Sequence, residues 1–374
     1  EKLMESQDFD TLYAAGSARA IGDWRLGMNA TRAYTLKYGT GKNVLSIGRV
    51  QTPTLALVVE RQKAIENFKP ETYWEIRTNY REGLFSCLRG RFNKKEEAEA
   101  LLEKITPLEL EILSIERKKA MEHPPKLFDL TLLQVECNRK FAYTAENTLK
   151  IIQSLYEKKV LSYPRTGSRF ISDDVFDEIP SRIALLEQYP AFSAYAATLK
   201  GTALNRRSVD AGKVTDHHAL IITECLHGEL PEDERKIYDM VAARLLESFS
   251  ARCVKDVTTV RFTAAGSDFA TKGTIIKSAG WRAVRGEKDE EEESAVLPPL
   301  QPGETFPLQS AENVEKQTKP RPLHTESSLL SAMESCGREL QETELRDSLK
   351  DIGIGTPATR ASIIETLFSR DYVR

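Results

Sequence analysis

The segment from Leu161 to Arg169 brings together side chains that could carry out phosphate chemistry. It reads Leu-Ser-Tyr-Pro-Arg-Thr-Gly-Ser-Arg, so a phenol, two guanidinium groups and several hydroxyls are close in sequence. A phenol has an ordinary pKa of about 10, so a phenolate nucleophile at neutral pH costs roughly 4 kcal/mol, which nearby cations can offset. Composition alone favours a plainer interpretation, since Tyr-Pro and Thr-Gly-Ser are common in polar surface turns.

Arg165 follows Tyr163 by two residues. Its guanidinium group keeps its charge at every relevant pH and presents a planar fork that matches two phosphate oxygens. This geometry suits the group to bind an anion that presents two oxygens. The alternative is a surface arginine in a salt bridge.

Thr356 and Pro357 form a helix-start signal near the end of the chain. A hydroxyl at the cap and proline at the first helical position leave free backbone N–H groups, to which a backbone phosphate could bind. An ordinary capped helix is an equally good interpretation.

The elements that would position these residues are mainly helical, with sheet entered twice. Helical spacing of apolar residues predicts helices over 11–37 and 53–65, widely between 128 and 250, and again over 326–335 and from 357, and a polar helix is expected over 94–104. Alternation of aromatic and β-branched residues predicts strands over 73–78, 257–262 and 274–276. We therefore expect a multidomain α+β protein in which a helical region interrupts the sheet.

Composition limits the function classes. The net charge of −3 lacks the strongly basic balance of many nucleic-acid binders, so any DNA site must be a local groove. No apolar run is long enough for a membrane span and the first ten residues are charged, which predicts a cytoplasmic protein. The five cysteines are widely separated and predict buried free thiols, and the acidic run 289–293 predicts a solvated loop.

Five segments in a fixed order identify a resemblance to a known family. Besides 161–169, they are Gly-Met-Asn-Ala-Thr-Arg-Ala-Tyr-Thr at 27–35, Ser-Ile-Gly-Arg-Val-Gln-Thr-Pro-Thr at 46–54, Thr-Asp-His-His-Ala-Leu-Ile at 215–221, and Gly-Ile-Gly-Thr-Pro-Ala-Thr-Arg-Ala at 353–361. Together they resemble the type IA DNA topoisomerases over nearly the whole chain, and within that family the topoisomerase III pattern.

The resemblance implies residue roles. Tyr163 would be the nucleophile that becomes joined to a DNA 5′ phosphate, Arg165 would stabilise the transition state, and His217 would contact the scissile phosphate or relay a proton. Contacts to single-stranded DNA, salt-sensitive and without sequence readout, are implied for Arg32, Arg49, Gln51, Ser168, Arg169, His218, Thr356 and Arg360.

The resemblance also implies an architecture. It predicts a toroidal body with a helical base (1–50 and 310–374), a β-rich arch or hinge (51–126 and 251–309), and a helical domain carrying the active-site tyrosine (127–250). Hinging of that helical domain would open a gate for strand passage.

Family members begin with a TOPRIM domain that holds Mg²⁺ and a catalytic glutamate, and we expect that domain to precede Glu1. No metal is expected in this chain, which we expect to bind single-stranded DNA as a monomer and to cleave it little or not at all. No phosphate loop of the Gly-x4-Gly-Lys type is found, in keeping with strand passage without ATP.

Two alternatives stay open: a topoisomerase I-like relaxing enzyme, and a non-catalytic scaffold that binds single-stranded DNA. Gly167 departs from the family pattern, which commonly has an acidic residue there. The segment 81–91 is also too short for the basic loop that some topoisomerase III members use in decatenation.

Overall fold

The computed structural model describes residues 5–41, 44–80, 83–224, 228–286, 297–336 and 353–374. The acidic run 289–293 and Cys225 therefore lie outside the described residues. The chain divides into two compact units, one made of 1–66, 130–151 and 322–374, and the other of 67–129 and 152–321. Each unit is built from separated stretches of sequence.

The first unit is helical. It contains α1 (Asp10–Tyr38), α2 (Gln51–Glu66), α4 (Leu130–Phe141), the start of α5 (Ala145–Glu157), α10 (Glu326–Ser335) and α11 (Pro357–Ser369). Its core is formed where α4, α10 and α11 meet, by Val135, Ala145, Leu329, Leu330, Met333, Ala361 and Ile364. Burial of these side chains is the main stabilising term for the unit.

Helix α1 differs from the other helices of this unit because none of its residues is buried within the described structure. Its apolar residues do recur at helical spacing, but Trp24 is 66% exposed and Leu36 is 86% exposed. The periodicity therefore predicted the helix correctly without marking a face that packs in this structure.

The second unit contains an antiparallel sheet. Its described strands are β1 (Thr72–Tyr80), β2 (Gly83–Cys87), β3 (Glu109–Glu122), β4 (Cys253–Ala264), β5 (Ser267–Ser278), β6 (Thr305–Pro307) and β7 (Ser310–Gln317). They are ordered β6-β3-β4-β5-β2-β1-β7. Three strands precede the helical region and four follow it, as expected of a sheet that the chain enters twice.

Aromatic packing forms the core of the sheet. The Phe262 and Phe269 rings stack with centroids 4.9 Å apart, and Phe85 is 5.2 Å from Phe262. Helix α3 (Lys95–Ile105) is amphipathic. Ala98 lies on its buried face and packs into the same core. Buried and exposed residues alternate along β2. This alternation is typical of an antiparallel sheet with one packed face.

The rest of the second unit is helical and irregular. It contains the end of α5, then α6 (Asp173–Asp177), α7 (Ile179–Leu186), α8 (Ser193–Leu199) and α9 (Glu232–Phe249), with a short 3-10 turn at Ala211–Lys213. In α9 every residue from Met240 to Phe249 is buried, so this helix is the centre of the region. Segments 158–172 and 214–224 run between these helices without regular structure and carry the predicted chemistry.

The predicted elements are largely confirmed, and the fold is a mixture of helices and antiparallel sheet. The helix predicted over 326–335 has the same bounds in the structure. Cys87, Cys137 and Cys253 are buried free thiols, whereas Cys336 is partly exposed. The division into three domains stays a prediction. Within the described ranges, each helix is too short or too polar to cross a bilayer.

Candidate active site

Two irregular segments of the second unit pair and place the predicted catalytic residues next to each other. Leu161 forms an isolated antiparallel bridge with Ile222. The Ser162 N–H donates to the Ile221 carbonyl at 2.9 Å, and the Ile221 N–H donates back to Ser162 Oγ at 3.0 Å. These bonds fix the segment that carries Tyr163 against the segment that carries His217.

Thr166 provides a second connection between the segments. Its hydroxyl donates to the His217 carbonyl at 2.9 Å and accepts the Ser168 N–H at 3.1 Å. The side chain is buried, with 1% of the residue exposed. A buried hydroxyl that is used as both donor and acceptor orients the turn after Tyr163 and the backbone of His217 together.

The Tyr163 ring lies between two other rings. Its centroid is 4.4 Å from the His217 imidazole, tilted by 46°, and 5.4 Å from Tyr156, which meets it edge-on at 84°. Tyr163 is half-buried and His217 is exposed. Within the described part of the chain the Tyr163 hydroxyl has no hydrogen-bond partner, so its oxygen is available to an incoming group.

Arg165 extends the site toward solvent. It is exposed, while Pro164 before it and Thr166 after it are buried. The Arg165 side chain is therefore accessible to solvent. The structure brings Tyr163 and His217 together, with Arg165 two residues after Tyr163 on the same segment, and the catalytic roles of the three stay predictions.

Ser168 and Arg169, predicted to bind DNA, take part in contacts within the protein. The Ser168 hydroxyl donates to the Lys213 carbonyl at 3.0 Å and accepts the Phe170 N–H at 3.1 Å, and the residue is 3% exposed. Arg169 Nε donates to the buried carboxylate of Asp129 at 2.5 Å. Both side chains shape the segment, and direct DNA contact by them stays a prediction.

His218 is half-buried beside His217, and its Nδ1 lies 2.7 Å from the Ala219 carbonyl. Asp174, at the start of α6, is affected by the charge of His218. A hydrogen bond from Ser172, then backbone N–H groups and the charge of His218, hold the pKa of Asp174 below its usual value despite slight desolvation. A carboxylate on this side of the segment therefore stays ionised.

The other predicted DNA contacts lie in the first unit. Arg32 is exposed on α1. Arg49 pairs with Asp23 at 2.6 Å, with about half of its side chain exposed. Gln51 is 9% exposed and donates to Ser46 Oγ at 2.9 Å. Of these three residues, Arg32 and Arg49 present charge to solvent.

Thr356 and Arg360 belong to the turn that starts α11. Thr356 is exposed, and its N–H donates to Thr359 Oγ1 at 3.0 Å, so the predicted helix start is confirmed. Arg360 is 3% exposed and donates to the Ile354 carbonyl at 3.1 Å and to Thr131 Oγ1 at 3.0 Å. Its guanidinium group holds the turn to α4, and its predicted DNA contact would require it to leave these partners.

Sequence reasoning missed Tyr156 and Thr166 as members of the site. Tyr156 lies in the helical stretch predicted between 128 and 250, and a helical period does not distinguish a core residue from one that contacts a neighbouring site. Thr166 could have been found, because a threonine between an arginine and a Gly-Ser pair is a typical turn-closing hydroxyl.

The side chains around Tyr163 do not form a metal site. Among the described residues no group of three or more histidine, cysteine, aspartate or glutamate side chains could hold a metal ion. Magnesium prefers carboxylate and water oxygens in octahedral arrangement. The described residues around Tyr163 therefore do not fit the Mg²⁺ that the resemblance implies.

Curated relatives align with nearly the whole of this chain. It is 36% identical to a DNA topoisomerase 3 of Shouchella clausii, an alignment that covers 100% of the chain and 53% of that protein. It is 37% identical to a DNA topoisomerase 3 of Bacillus licheniformis, with 99% and 52% covered. The chain thus spans about half the length of the curated relatives it matches.

A solved structure shares the fold. Full-length topoisomerase I from Thermotoga maritima superposes with a TM-score of 0.72 at 24% identity, covering 96% of this chain and 57% of that one. The family model described as DNA topoisomerase matches residues 7–374. With the five ordered segments and this match over nearly its whole length, the chain belongs to the DNA topoisomerase family, as its type IA resemblance predicted.

Proposed function

We propose that this chain carries the strand-cleaving tyrosine of a type IA DNA topoisomerase of the topoisomerase III kind, and that Tyr163 is that tyrosine. The observation that carries the proposal is the placement of the accessible Tyr163 hydroxyl beside His217, with the ring centroids 4.4 Å apart, at the edge where Arg165 is exposed. The relatives named DNA topoisomerase 3 support this choice over a topoisomerase I-like enzyme.

The proposed reaction is a transesterification. The Tyr163 oxygen loses its proton and forms a bond to phosphorus, while the bond from phosphorus to the 3′ oxygen of the preceding nucleotide breaks. That 3′ oxygen takes up a proton, and the 5′ phosphate stays on the tyrosine as a phosphodiester. Because one phosphodiester replaces another, resealing is the reverse step and needs no ATP.

Arg165 and His217 have distinct proposed tasks. Arg165 pairs with the non-bridging oxygens as negative charge develops on them, a contribution of a kind that often changes rates by about 100-fold or more. His217 donates a hydrogen bond to the same phosphate or moves a proton at the leaving oxygen. Thr166 positions His217 through its carbonyl and does not contact the strand.

The whole protein is proposed to change DNA topology by passing a second strand through the break. The type IA resemblance supports a toroidal body in which the helical tyrosine domain hinges on the β-rich arch, and single-stranded or underwound DNA as substrate. Arg32 and Arg49 are exposed cations suited to its phosphates.

We further propose that this chain alone binds single-stranded DNA but forms little covalent product. The support is that the chain matches about half of each curated relative. Mg²⁺ and a general acid or base would come from residues outside this chain, and each is worth orders of magnitude in rate.

The test compares two neighbouring tyrosines in the whole protein. Tyr163→Phe should abolish covalent attachment of DNA, whereas Tyr156→Phe, the matched control 5.4 Å away, should retain it. A single-stranded oligonucleotide labelled at its 3′ end should transfer its label to the protein, and one labelled at its 5′ end should not, because the tyrosine holds the 5′ phosphate.

Three results would contradict these proposals. Relaxation or adduct formation by Tyr163→Phe would identify a different nucleophile. Transfer of the 5′ label would reverse the polarity of the intermediate. Efficient adduct formation by the isolated chain with Mg²⁺ would show that it needs no further residues.

A further inference from the structure

The Phe170 ring carries two lysine ammonium groups. Lys126 Nζ lies 4.1 Å from the ring centroid and Lys213 Nζ lies 5.2 Å from it. Lys126 and Phe170 are half-buried, and Lys213 is exposed. Two ammonium groups over one ring is an unusual arrangement, since a single cation–π contact at an exposed site is weakly stabilising.

Other cations crowd the same place. Burial lowers the pKa of Lys126, and the charges of Arg207, Lys213 and Arg169 lower it further, against a weaker opposing effect of Asp210. Like charges at close range repel, so this cluster destabilises the isolated protein locally.

Carboxylates neutralise only part of that charge. Arg169 pairs with Asp129 and Lys213 pairs with Asp210, each at 2.5 Å. In the described part of the chain neither Lys126 nor Arg207 has a carboxylate within the 4.0 Å of an ion pair. The Arg207 guanidinium does donate to the Pro124 carbonyl at 3.2 Å, which fixes it beside Lys126. The cluster therefore keeps excess positive charge in a preorganised position.

The cluster is joined to the candidate active site by backbone bonds. The Ser168 hydroxyl donates to the carbonyl of Lys213 itself at 3.0 Å. The Phe170 carbonyl accepts the Ala219 N–H at 2.9 Å, two residues after His217. Lys126 is close in sequence to Phe128, whose carbonyl accepts the Leu220 N–H at 2.8 Å. The same two segments thus position both the cations and the Tyr163–His217 pair.

We propose that Lys126, Lys213 and Arg207 form a binding site for a backbone phosphate of the single DNA strand that is presented to Tyr163. The inference rests on the proposed function, and adds to it a subsite that holds the strand away from the reacting phosphate. Phe170 supports the two ammonium groups at a fixed spacing. A fixed phosphate contact next to the cleavage site sets the register of the strand, which raises the fraction of bound strand that is aligned for attack.

The test measures how salt weakens binding of the whole chain to an oligothymidylate. For single strands, the slope of log affinity against log salt changes by about 0.7 for each phosphate contact. Lys126→Gln and Lys213→Gln should each reduce the magnitude of that slope by roughly 0.7 and weaken binding at low salt. Lys126→Arg should restore both values. Lys104→Gln, which removes an exposed lysine from α3, is the control of equal charge change and should leave the slope as in the wild type.

A second measurement uses the unaltered protein, so that it does not depend on folding of the variants. Acetylation of lysines, read by mass spectrometry, should be slowed at Lys126 and Lys213 by the oligonucleotide, and unchanged at Lys104.

Two results together would overturn the subsite. The wild type binds but all variants have the same slope of log affinity against log salt, and the oligonucleotide does not slow acetylation of Lys126 and Lys213. Adduct formation through Tyr163 would still stand in that case. Absence of any binding by the wild-type chain would overturn the subsite together with the binding part of the proposed function.

Discussion

Thr166 is the residue on which the geometry of the candidate active site depends most directly. One buried hydroxyl closes the turn after Tyr163 through the Ser168 N–H and holds the His217 carbonyl on the facing segment. Neither bond can be replaced by water while the side chain stays buried. A catalytic pair on two irregular segments needs such supporting contacts to keep its rotamers and spacing.

We expect Thr166→Val to lower both stability and strand cleavage. Valine has the same shape but leaves the Ser168 N–H unsatisfied, which costs about 1–3 kcal/mol of unfolding free energy. Cleavage by the whole protein should fall further than stability predicts, because His217 loses its backbone partner. Urea unfolding of the chain and adduct formation by the whole protein are the measurements.

Thr198→Val is the matched control for that change. Its hydroxyl donates to the Tyr195 carbonyl three residues earlier on α8, at an exposed position, so the loss should stay below about 0.5 kcal/mol. Equal effects of the two substitutions would show that the Thr166 bonds have no special role.

At this scale the structure agrees with the predicted proximity of two residues, and the roles of the predicted site residues stay predictions. The proximity of Tyr163 and His217, which are far apart in sequence, agrees with the motif-based prediction. Ser168 and Arg360 were predicted to contact DNA, yet both are buried and bond within the protein. Polar residues in a motif can either contact a ligand or hold the loop that does so, and composition and spacing do not separate these uses.

Local patterns predicted the elements well because the periods of strands and helices are strong signals. Alternation in β1 and β4 and the capped start of α11 were recognised from the residues alone. The pairing order of the sheet was not, since it depends on contacts between strands distant in sequence. Segments 158–172 and 214–224 have no period at all, and their pairing is specified by single backbone hydrogen bonds together with bonds to the Ser162 and Thr166 hydroxyls.

Glu326 is an element-scale feature because it joins two helices. It lies in the first turn of α10, and its Oε2 accepts the N–H of Ala145, the first residue of α5, at 2.7 Å. Burial raises the pKa of Glu326, the Ala145 N–H opposes that effect, and the charge of Glu365 adds to it. The contact is therefore maintained at the cost of an unfavourable buried charge.

The sign of the pH dependence follows from linkage. With a raised pKa in the folded state, the folded chain holds more protons than the unfolded chain from about pH 4.5 upward, so this group lowers stability as pH rises through that window. Glu326→Gln keeps an oxygen for the Ala145 N–H and removes the charge. The stability of the variant relative to wild type should therefore increase from pH 4 toward neutrality and then level off.

Urea unfolding at a series of pH values measures this difference. Glu60→Gln, at an exposed position on α2 in the same unit, is the control for loss of one carboxylate. A difference between Glu326→Gln and wild type that stays flat or declines with rising pH would contradict the assignment.

At the scale of the whole molecule, the chain forms its two units from interleaved stretches. The backbone passes between them at residues 66, 129, 151 and 321, so α5 begins in one unit and ends in the other. Each has its own apolar core, one around Leu330 and one around Phe262. The ordered motifs predicted the family, but no local pattern in sequence marks these crossing points, because they follow from which side chains finally pack together.

Separate cores predict that the two units unfold in two overlapping transitions. Gly353→Ala should lower the transition of the first unit, because φ is +65° and an added Cβ would lie 2.6 Å from the Met333 carbonyl oxygen. Phe262→Ala should lower that of the second unit by about 3–5 kcal/mol, since it removes a buried ring that stacks on Phe269. Gly22→Ala, on α1 with nothing within 4 Å of the added Cβ, should instead raise the unfolding free energy of the first unit by up to about 1 kcal/mol.

Differential scanning calorimetry of the chain separates these effects. A single transition with equal calorimetric and van't Hoff enthalpies, moved alike by the variants of both units, would show that the interleaved connections make the two cores unfold as one.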